Sequence, residues 1–297
     1  MIIECEQDVT IAATAVMEQT TDPRLRQIMV SLVKHLHGFV RDVRLTEAEF
    51  RDAAAILVEL GRLTTDSHNE TVLIAGSLGV SALVCLLNNG DQGNTETAQS
   101  LLGPFWRLNA PRVENGGSIV RSETPGPALF VNARVVDPAG HPVAGAEVDV
   151  WHASPVGLYE NQDPEQAEMN LRGKFVTDVE GRFGFRSVMM IGYPIPTNGV
   201  VGRLLAHQNR HPYRPAHLHA LIFKQGFKTL ISQIYDPADP HIDSDVQFGV
   251  TRALIGKFER HDRPHLTEPA VVAPWYSLDH IYRMEAGEAV LPRPPIK

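Results

Sequence analysis

Two histidines and two tyrosines are the residues of this sequence best suited to bind a metal ion. His217 and His219 stand two positions apart in the run Arg-Pro-Ala-His-Leu-His. On a β-strand, residues i and i+2 project from the same face, so both imidazoles can reach one point in space. Imidazole alone is compatible with zinc, copper or ferrous iron. Tyr159 and Tyr193 lie upstream, and because a tyrosinate is a hard anionic oxygen donor, the combination favours ferric iron.

The composition indicates an ordinary globular protein that acts on neither nucleic acids nor membranes. The 297 residues are 43% hydrophobic and 21% charged, with a net charge of -8, so no basic surface for nucleic acid or anionic lipid is expected. No apolar run is long enough to cross a bilayer, and the N-terminus lacks the pattern of a secretion signal. Cys5 and Cys85 are far apart and exclude a disulfide framework, which predicts a cytoplasmic location.

Region 1–105 is expected to be helical. Thr46 and Glu49 form a capping-box pattern, with Thr46 as the N-cap of a helix that Gly61 would end. The spacing of apolar residues predicts an earlier helix over 23–40 and a later one over 72–87.

Region 106–297 has a different texture, in which short β-rich runs alternate with turns rich in glycine and proline. Such regular short strands are typical of a β-sandwich or barrel. The predicted fold class is therefore mainly β with α, a β-sandwich catalytic domain over 106–297 preceded by a helical N-terminal region over 1–105. The strands are predicted at 129–136, 146–152, 175–178, 182–186, 216–224 and 227–234.

Several of these segments, taken in order, resemble the intradiol ring-cleavage dioxygenases, which open catechols between the two hydroxyl-bearing carbons. The matching runs lie at 145–153, 157–159, 171–175, 177–182, 192–196 and 214–219. The segments most similar to the branch of that family that acts on hydroxyquinol are 193–196, 211–219 and 243–250.

The resemblance implies a ferric, non-haem iron cofactor, Fe(III), with four ligands: Tyr159, Tyr193, His217 and His219. A trivalent ion can lower the pKa of tyrosine, ordinarily about 10, far enough to bind tyrosinate at neutral pH. By the same resemblance Tyr193 is displaced by the substrate and accepts its proton, whereas Tyr159 stays bound. Arg214 is implied to stabilise negative charge on the ring, and Gln233 to be a polar residue close to the site.

The resemblance also implies a pocket for one aromatic ring, walled by Leu73, Gly103, Pro104, Phe105, Ile195 and Pro196. One position departs from the hydroxyquinol branch, because Gly76 stands where that branch has an acidic residue in Leu-x-x-Asp-x-Leu-Gly. We interpret Gly76 as opening space near the wall and as removing an acceptor for the third ring hydroxyl. Gly76→Asp is then expected to raise discrimination for hydroxyquinol over catechol.

The implied reaction is the cleavage of hydroxyquinol (benzene-1,2,4-triol) with O2 to 3-hydroxy-cis,cis-muconate or maleylacetate, in aromatic catabolism. Catechol or chlorocatechol is the alternative substrate. An alternative of another class is a non-catalytic β-sandwich module with a closed zinc site, although neither cysteine is near the histidine pair. Extradiol cleavage would use ferrous iron on two histidines and one carboxylate, and the sequence places no carboxylate where it would replace the tyrosines.

The partners implied by the resemblance are a small aromatic diol or triol, O2 and a second copy of the chain. The homodimer would form through the N-terminal helices, around an apolar tunnel that can hold a phospholipid. The sequence itself shows only amphipathic helices, for which packing against a core is the default interpretation.

Overall fold

The computed structural model describes residues 2–66, 68–89 and 99–296. The helices are α1 Glu6–Met17, α2 Pro23–Val43, α3 Glu47–Leu63, α4 Glu70–Ser77, α5 Val80–Asn89 and α6 Val200–His207. The strands are β1 Ala128–Val136, β2 Glu147–Trp151, β3 Arg172–Val176, β4 Arg182–Val188, β5 Tyr193–Pro194, β6 Tyr213–Arg214, β7 His217–Phe223, β8 Leu230–Tyr235, β9 Phe258–His261 and β10 Trp275–Arg283. Five helices thus precede a β-rich region, and the predicted fold class is confirmed.

The chain divides into two compact units, residues 1–58 and 59–297. The first unit holds α1, α2 and the first part of α3. The second contains the sandwich together with α4, so that Leu73 and Gly76 belong to the same unit as the strands. The boundary predicted at residue 105 reflects the change in sequence texture and stays a prediction.

Side-chain caps begin helices α2 and α3. Asp22 accepts a hydrogen bond from the backbone N–H of Leu25 at 2.7 Å, and Pro23 occupies the first turn of α2, where a missing N–H costs nothing. The predicted capping box is confirmed, since the N–H of Thr46 donates to Glu49 and the N–H of Glu49 donates to the Thr46 hydroxyl. The prediction for Gly61 is wrong, because α3 continues to Leu63.

The single helix predicted over 72–87 is two helices. α4 ends at Ser77 and α5 begins at Val80, with a bend of 76° between them. Gly79 lies at the break with φ +74°, a left-handed conformation that favours glycine. Within the described residues no single helix is long and apolar enough to cross a membrane, and this bent pair meets the criterion by length and composition only.

Two four-stranded sheets enclose the main core. The strand order is β4-β1-β10-β9 in one sheet, where β1 and β10 are parallel, and β3-β2-β7-β8 in the other, which is antiparallel. Side chains alternate between faces along a strand, so every second residue of each inner strand points between the sheets. The residues contributed in this way include Leu129, Val131, Ala133, Val135, Val148, Val150, Leu218, Ala220 and Ile222.

Strand β7 is buried on both faces, which is how it positions the two histidines. Its even-numbered residues 218, 220 and 222 fill the sandwich core. His217 and His219 project from the opposite face and are each 1% exposed. A two-residue ribbon pairs Tyr193 of β5 with Arg214 of β6, just before β7 begins. The ribbon thereby brings the segment with Tyr193 close to the start of β7, which carries the two histidines.

Candidate active site

Four side chains from three segments converge on one buried point. The phenol oxygens of Tyr159 and Tyr193 lie 3.3 Å apart, and the Tyr193 oxygen is 3.5 Å from Nε2 of His217. Nε2 of His217 is in turn 3.1 Å from Nε2 of His219. All four side chains are buried. The structure therefore brings together the four residues that the sequence predicted as metal ligands.

The two tyrosines are held by different local structures. Tyr159 begins a 3-10 turn, its N–H donates to Gln162 at 3.0 Å, and its ring stacks on Phe105 with centroids 4.4 Å apart. Tyr193 belongs to β5, which pairs with Tyr213–Arg214 in a two-stranded ribbon. Tyr159 therefore lies in a turn and Tyr193 in a short ribbon, and both rings are buried.

The histidines are present as neutral imidazoles. Nδ1 of His217 is 2.6 Å from the carbonyl oxygen of Pro215, which can only accept, so Nδ1 carries the proton and Nε2 presents a lone pair. Burial, followed by the charge of Arg214, lowers the pKa of His217 to about 3. Burial also lowers the pKa of His219 well below its usual value, with His217 adding to the effect. Neutral imidazole is the form that binds metal.

Burial also favours the neutral form of the two phenols, but for a phenol the neutral form is the protonated one, which is not the form that binds a metal ion. It raises the pKa of Tyr159 well above the usual value, and it raises the pKa of Tyr193 despite the opposing charge of Arg214. Without a cation the site therefore has no anionic ligand. A trivalent cation bound between the four atoms would reverse this preference.

The four atoms fit a metal ion. Metal–ligand bonds of about 2.0–2.2 Å put neighbouring ligand atoms roughly 3–3.5 Å apart, which is the spacing seen here. The Nδ1–H of His217 donates to a backbone carbonyl, as the second nitrogen of a metal-binding histidine usually does. Two oxygen donors and two imidazoles suit iron better than a closed zinc site.

The alternatives that lack tyrosine ligands find no support. Over residues 2–66, 68–89 and 99–296, no group of three or more His, Cys, Asp or Glu side chains is arranged to hold a metal. Structural zinc would need such a group, and so would the two-histidine, one-carboxylate site of an extradiol enzyme. Asp245, a buried carboxylate near the histidines, is bound to Arg214 instead.

Arg214 is fixed beside the histidines by a buried network. Its Nε and Nη2 donate to the two oxygens of Asp245 at 3.1 and 3.0 Å, and Nη2 also donates to Gln233 and to the Tyr235 hydroxyl. Nη1 is 3.3 Å from Nε2 of His217. Burial would raise the pKa of Asp245, but the Arg214 charge and backbone N–H donors hold it below the usual value. The result is a permanent positive charge pointed at the site.

Sequence reasoning missed several residues that position this site. Asp245 and Tyr235 hold Arg214. Arg172 donates to both oxygens of Glu160 at 2.7 Å and to the carbonyl of Phe105 at 2.6 Å, and so supports the ring stacked on Tyr159. Trp151 stacks on His219 with centroids 4.6 Å apart. The available signal was that a buried arginine needs a carboxylate partner, but the sequence does not say which of its acidic residues supplies it.

The predicted wall residues fall into two groups, one beside Tyr159 and His219 and one in a separate cluster. Phe105 covers Tyr159, and a Cβ at Gly103 would lie 3.4 Å from Cε1 of His219, with Pro104 buried between them in the chain. Leu73 and Ile195 pack together in a second cluster with Val246, and Pro196 beside them is half-buried. Their contact with a substrate ring stays a prediction.

The interpretation of Gly76 as open space is wrong. A Cβ built there would lie 2.8 Å from Cδ and Oε1 of Gln247 and 3.2 Å from its Nε2. The glutamine side chain therefore fills the space that the glycine leaves. An aspartate at position 76 would collide with it, so Gly76→Asp is no longer expected to improve discrimination by itself.

Comparison with known proteins agrees with this geometry. Family models described as "Dioxygenase" and "Catechol dioxygenase N terminus" match residues 101–271 and 22–95. A hydroxyquinol 1,2-dioxygenase from Rhizobium sp. is 40% identical over 89% of this chain and 90% of its own length, and a catechol 1,2-dioxygenase from Candida albicans is 36% identical over 81% and 80%.

A solved structure of a hydroxyquinol 1,2-dioxygenase also resembles this chain. The hydroxyquinol 1,2-dioxygenase from Pseudomonas putida superposes with a TM-score of 0.84 at 36% identity, covering 95% of this chain and 99% of that one. Both the helical region and the sandwich are thus shared. The chain belongs to the intradiol ring-cleavage dioxygenase family, whose members are oxidoreductases.

Proposed function

We propose that this chain is a non-haem Fe(III) enzyme that cleaves hydroxyquinol with O2 between its adjacent hydroxyl-bearing carbons, giving 3-hydroxy-cis,cis-muconate or its tautomer maleylacetate. The observation that carries the proposal is the convergence of Tyr159, Tyr193, His217 and His219 within 3.1–3.5 Å beside Arg214. The hydroxyquinol 1,2-dioxygenases similar to this chain, at 36–40% identity, support the choice of substrate.

The residues of the site divide the work of the reaction. Bound Fe(III) would supply a Lewis acid that chelates both substrate oxygens and makes the ring reactive toward O2. Both adjacent hydroxyl groups of the substrate must lose their protons, and the phenolate oxygen of Tyr193 is the base that we propose accepts one of them. Tyr159 stacks on Phe105, whose carbonyl accepts from Arg172, and it keeps its position meanwhile.

The role of Arg214 is electrostatic stabilisation and not proton transfer. Negative charge grows on the ring while it reacts with O2, and a buried cation fixed by Asp245 needs no reorganisation to stabilise it. The apolar side chains of Leu73, Ile195 and Phe105 orient the ring and exclude water. Gln233 accepts from Nη2 of Arg214, which also donates to Asp245, and Gln233 donates to the Leu101 carbonyl at 2.6 Å. It therefore ties the arginine to the segment that carries Gly103.

Catechol is the second candidate substrate, favoured by the 36% identity to the Candida albicans catechol enzyme. Parallel assays with hydroxyquinol, catechol and 4-chlorocatechol, with the products identified by mass spectrometry, decide between them. We expect the highest kcat/KM for hydroxyquinol and a ring-opened dicarboxylate as the product. If catechol or the halogenated ring is turned over far better, the substrate assignment is wrong, whereas family membership is unaffected.

The proposal includes a homodimer formed through the first unit, with a phospholipid bound there. Helix α2 has no buried residue, and Leu25, Ile28, Leu32 and Leu36 are 45–52% exposed along one stripe. A groove of about 450 Å³ in the same unit is lined by Val9, Val40, Leu45 and Phe50 among others. Light scattering should give the mass of two chains, and a single-chain mass at micromolar concentration would contradict the dimer. A cytoplasmic location fits a sequence with two cysteines in all.

A further inference from the structure

Gly76 and Gln247 form a pair whose sizes are complementary. Gln247 is 3% exposed, and its carboxamide occupies the place where a side chain at position 76 would stand. The space beside α4 at position 76 is therefore filled by a side chain from the loop after β8. At this place in the predicted wall, the group that occupies the space is thus a carboxamide from Gln247.

The Gln247 carboxamide is buried with a hydrogen-bond donor to spare. Its Nε2 has no partner among the described residues. Buried polar groups in native proteins are nearly always hydrogen-bonded, so a bound water, an ion or a ligand is expected at one that has no protein partner. Because a carboxamide both donates and accepts, either orientation of the group offers a hydrogen bond to a hydroxyl.

The backbone of Gln247 belongs to the same network that fixes Arg214. Its N–H donates to Asp245 at 3.1 Å, and Asp245 also accepts from Gly249 and from Arg214. The preceding residue, Val246, packs with Leu73 and Ile195. Leu73 is one helical turn before Gly76 on α4, so that residues 73 and 76 share a face. Gln247 is thus held between the apolar wall and the catalytic arginine.

We propose that Gln247 is a specificity-determining residue, which hydrogen-bonds the third ring hydroxyl of the substrate and can do so because position 76 is glycine. This inference rests on the proposed function, since it concerns the ring position at which hydroxyquinol differs from catechol. A hydrogen or chlorine at that position accepts a hydrogen bond poorly and leaves the carboxamide without a partner. The pair Gly76 and Gln247 therefore selects for a trihydroxylated ring.

The test is the ratio of kcat/KM for hydroxyquinol to kcat/KM for catechol. Gln247→Met keeps the length of the side chain but removes its polar atoms, and it should lower the ratio about three- to tenfold, as expected for one neutral hydrogen bond, mainly through the hydroxyquinol value. Gly76→Ala should lower the ratio similarly, because its Cβ displaces the carboxamide. In a Gln247→Ala background, Gly76→Ala should have no further effect.

The control is Gln225→Met at an exposed turn, which should leave the ratio unchanged. An equal loss for both substrates, or no change of the ratio in Gln247→Met, would show that Gln247 only fills space and would overturn the inference while the proposed function stands. A wild-type enzyme that prefers catechol would overturn the proposed function itself and this inference with it. Should Gln247→Met fail to fold, Gly76→Ala carries the same test, since it retains the glutamine.

Discussion

Tyr159→Phe is expected to abolish ring cleavage and to strip most of the iron from the purified protein. In the proposed site the oxygen of Tyr159 is the anionic ligand that stays bound, and its ring stacks on Phe105, whose carbonyl accepts a hydrogen bond from Arg172. Loss of a residue that merely supports a metal ligand costs about 10- to 100-fold in affinity, so loss of the ligand itself should cost more than that. Iron content by atomic emission and the visible spectrum measure the effect.

Tyr193→Phe is expected to behave differently. The phenylalanine cannot accept the substrate proton, and loss of a general base typically lowers the rate about 10²- to 10⁴-fold. Iron and part of the visible absorption should remain, because Tyr159 and both histidines are unchanged. Tyr282→Phe is the matched control, since Tyr282 is equally buried but lies in the sandwich core. Identical iron loss and identical spectra in the two active-site variants would contradict the separate roles.

The second large effect is expected from Asp245→Asn, which breaks the buried pair with Arg214. Both side chains are 2% exposed, and removing one partner of such a pair typically costs about 3–5 kcal/mol of folding free energy. Arg214 would also lose its orientation toward His217, and the loss of preorganised charge stabilisation typically lowers kcat about 10²-fold or more. Denaturant unfolding at pH 7 and steady-state kinetics measure the two effects.

The pH dependence of this pair has a definite sign. The pKa of Asp245 is lower in the folded protein than its ordinary value, which is about 3.9 when unfolded. Its contribution to stability is therefore complete above about pH 4 and is lost as the pH falls through the folded pKa. Asp262→Asn is the control, because its pair with Arg260 is 59–72% exposed and should contribute about 1 kcal/mol or less. Equal destabilisation by both substitutions would contradict the special role of Asp245.

Local pattern was enough to predict much of the fold. Alternating residues marked β1 and β2 almost to their ends, and the Thr46–Glu49 box marked the start of α3, because such signals are contained within a few neighbouring residues. The break at Gly79 was missed, since the apolar pattern continues through it and only the backbone conformation reveals the bend. The end of α3 was placed too early, because in sequence a glycine inside a helix cannot be told from one at its end.

In the site, too, the features set by neighbouring residues were predictable and those set by distant residues were not. The spacing of His217 and His219 on one strand placed both imidazoles correctly, and resemblance supplied the two tyrosines. What surrounds them depends on contacts between residues far apart in the chain. Position 76 looked empty because the side chain that fills it comes from Gln247, 171 positions later. No pattern within α4 contains that information.

The most direct test of a ferric centre at these four side chains is the metal content of the wild-type protein, measured together with its visible spectrum. Iron bound by tyrosinate absorbs visible light, whereas zinc is colourless. We predict about one iron per chain in coloured, active protein, with the colour lost in Tyr159→Phe. Stoichiometric zinc in active protein that has no visible absorption would contradict the ferric site.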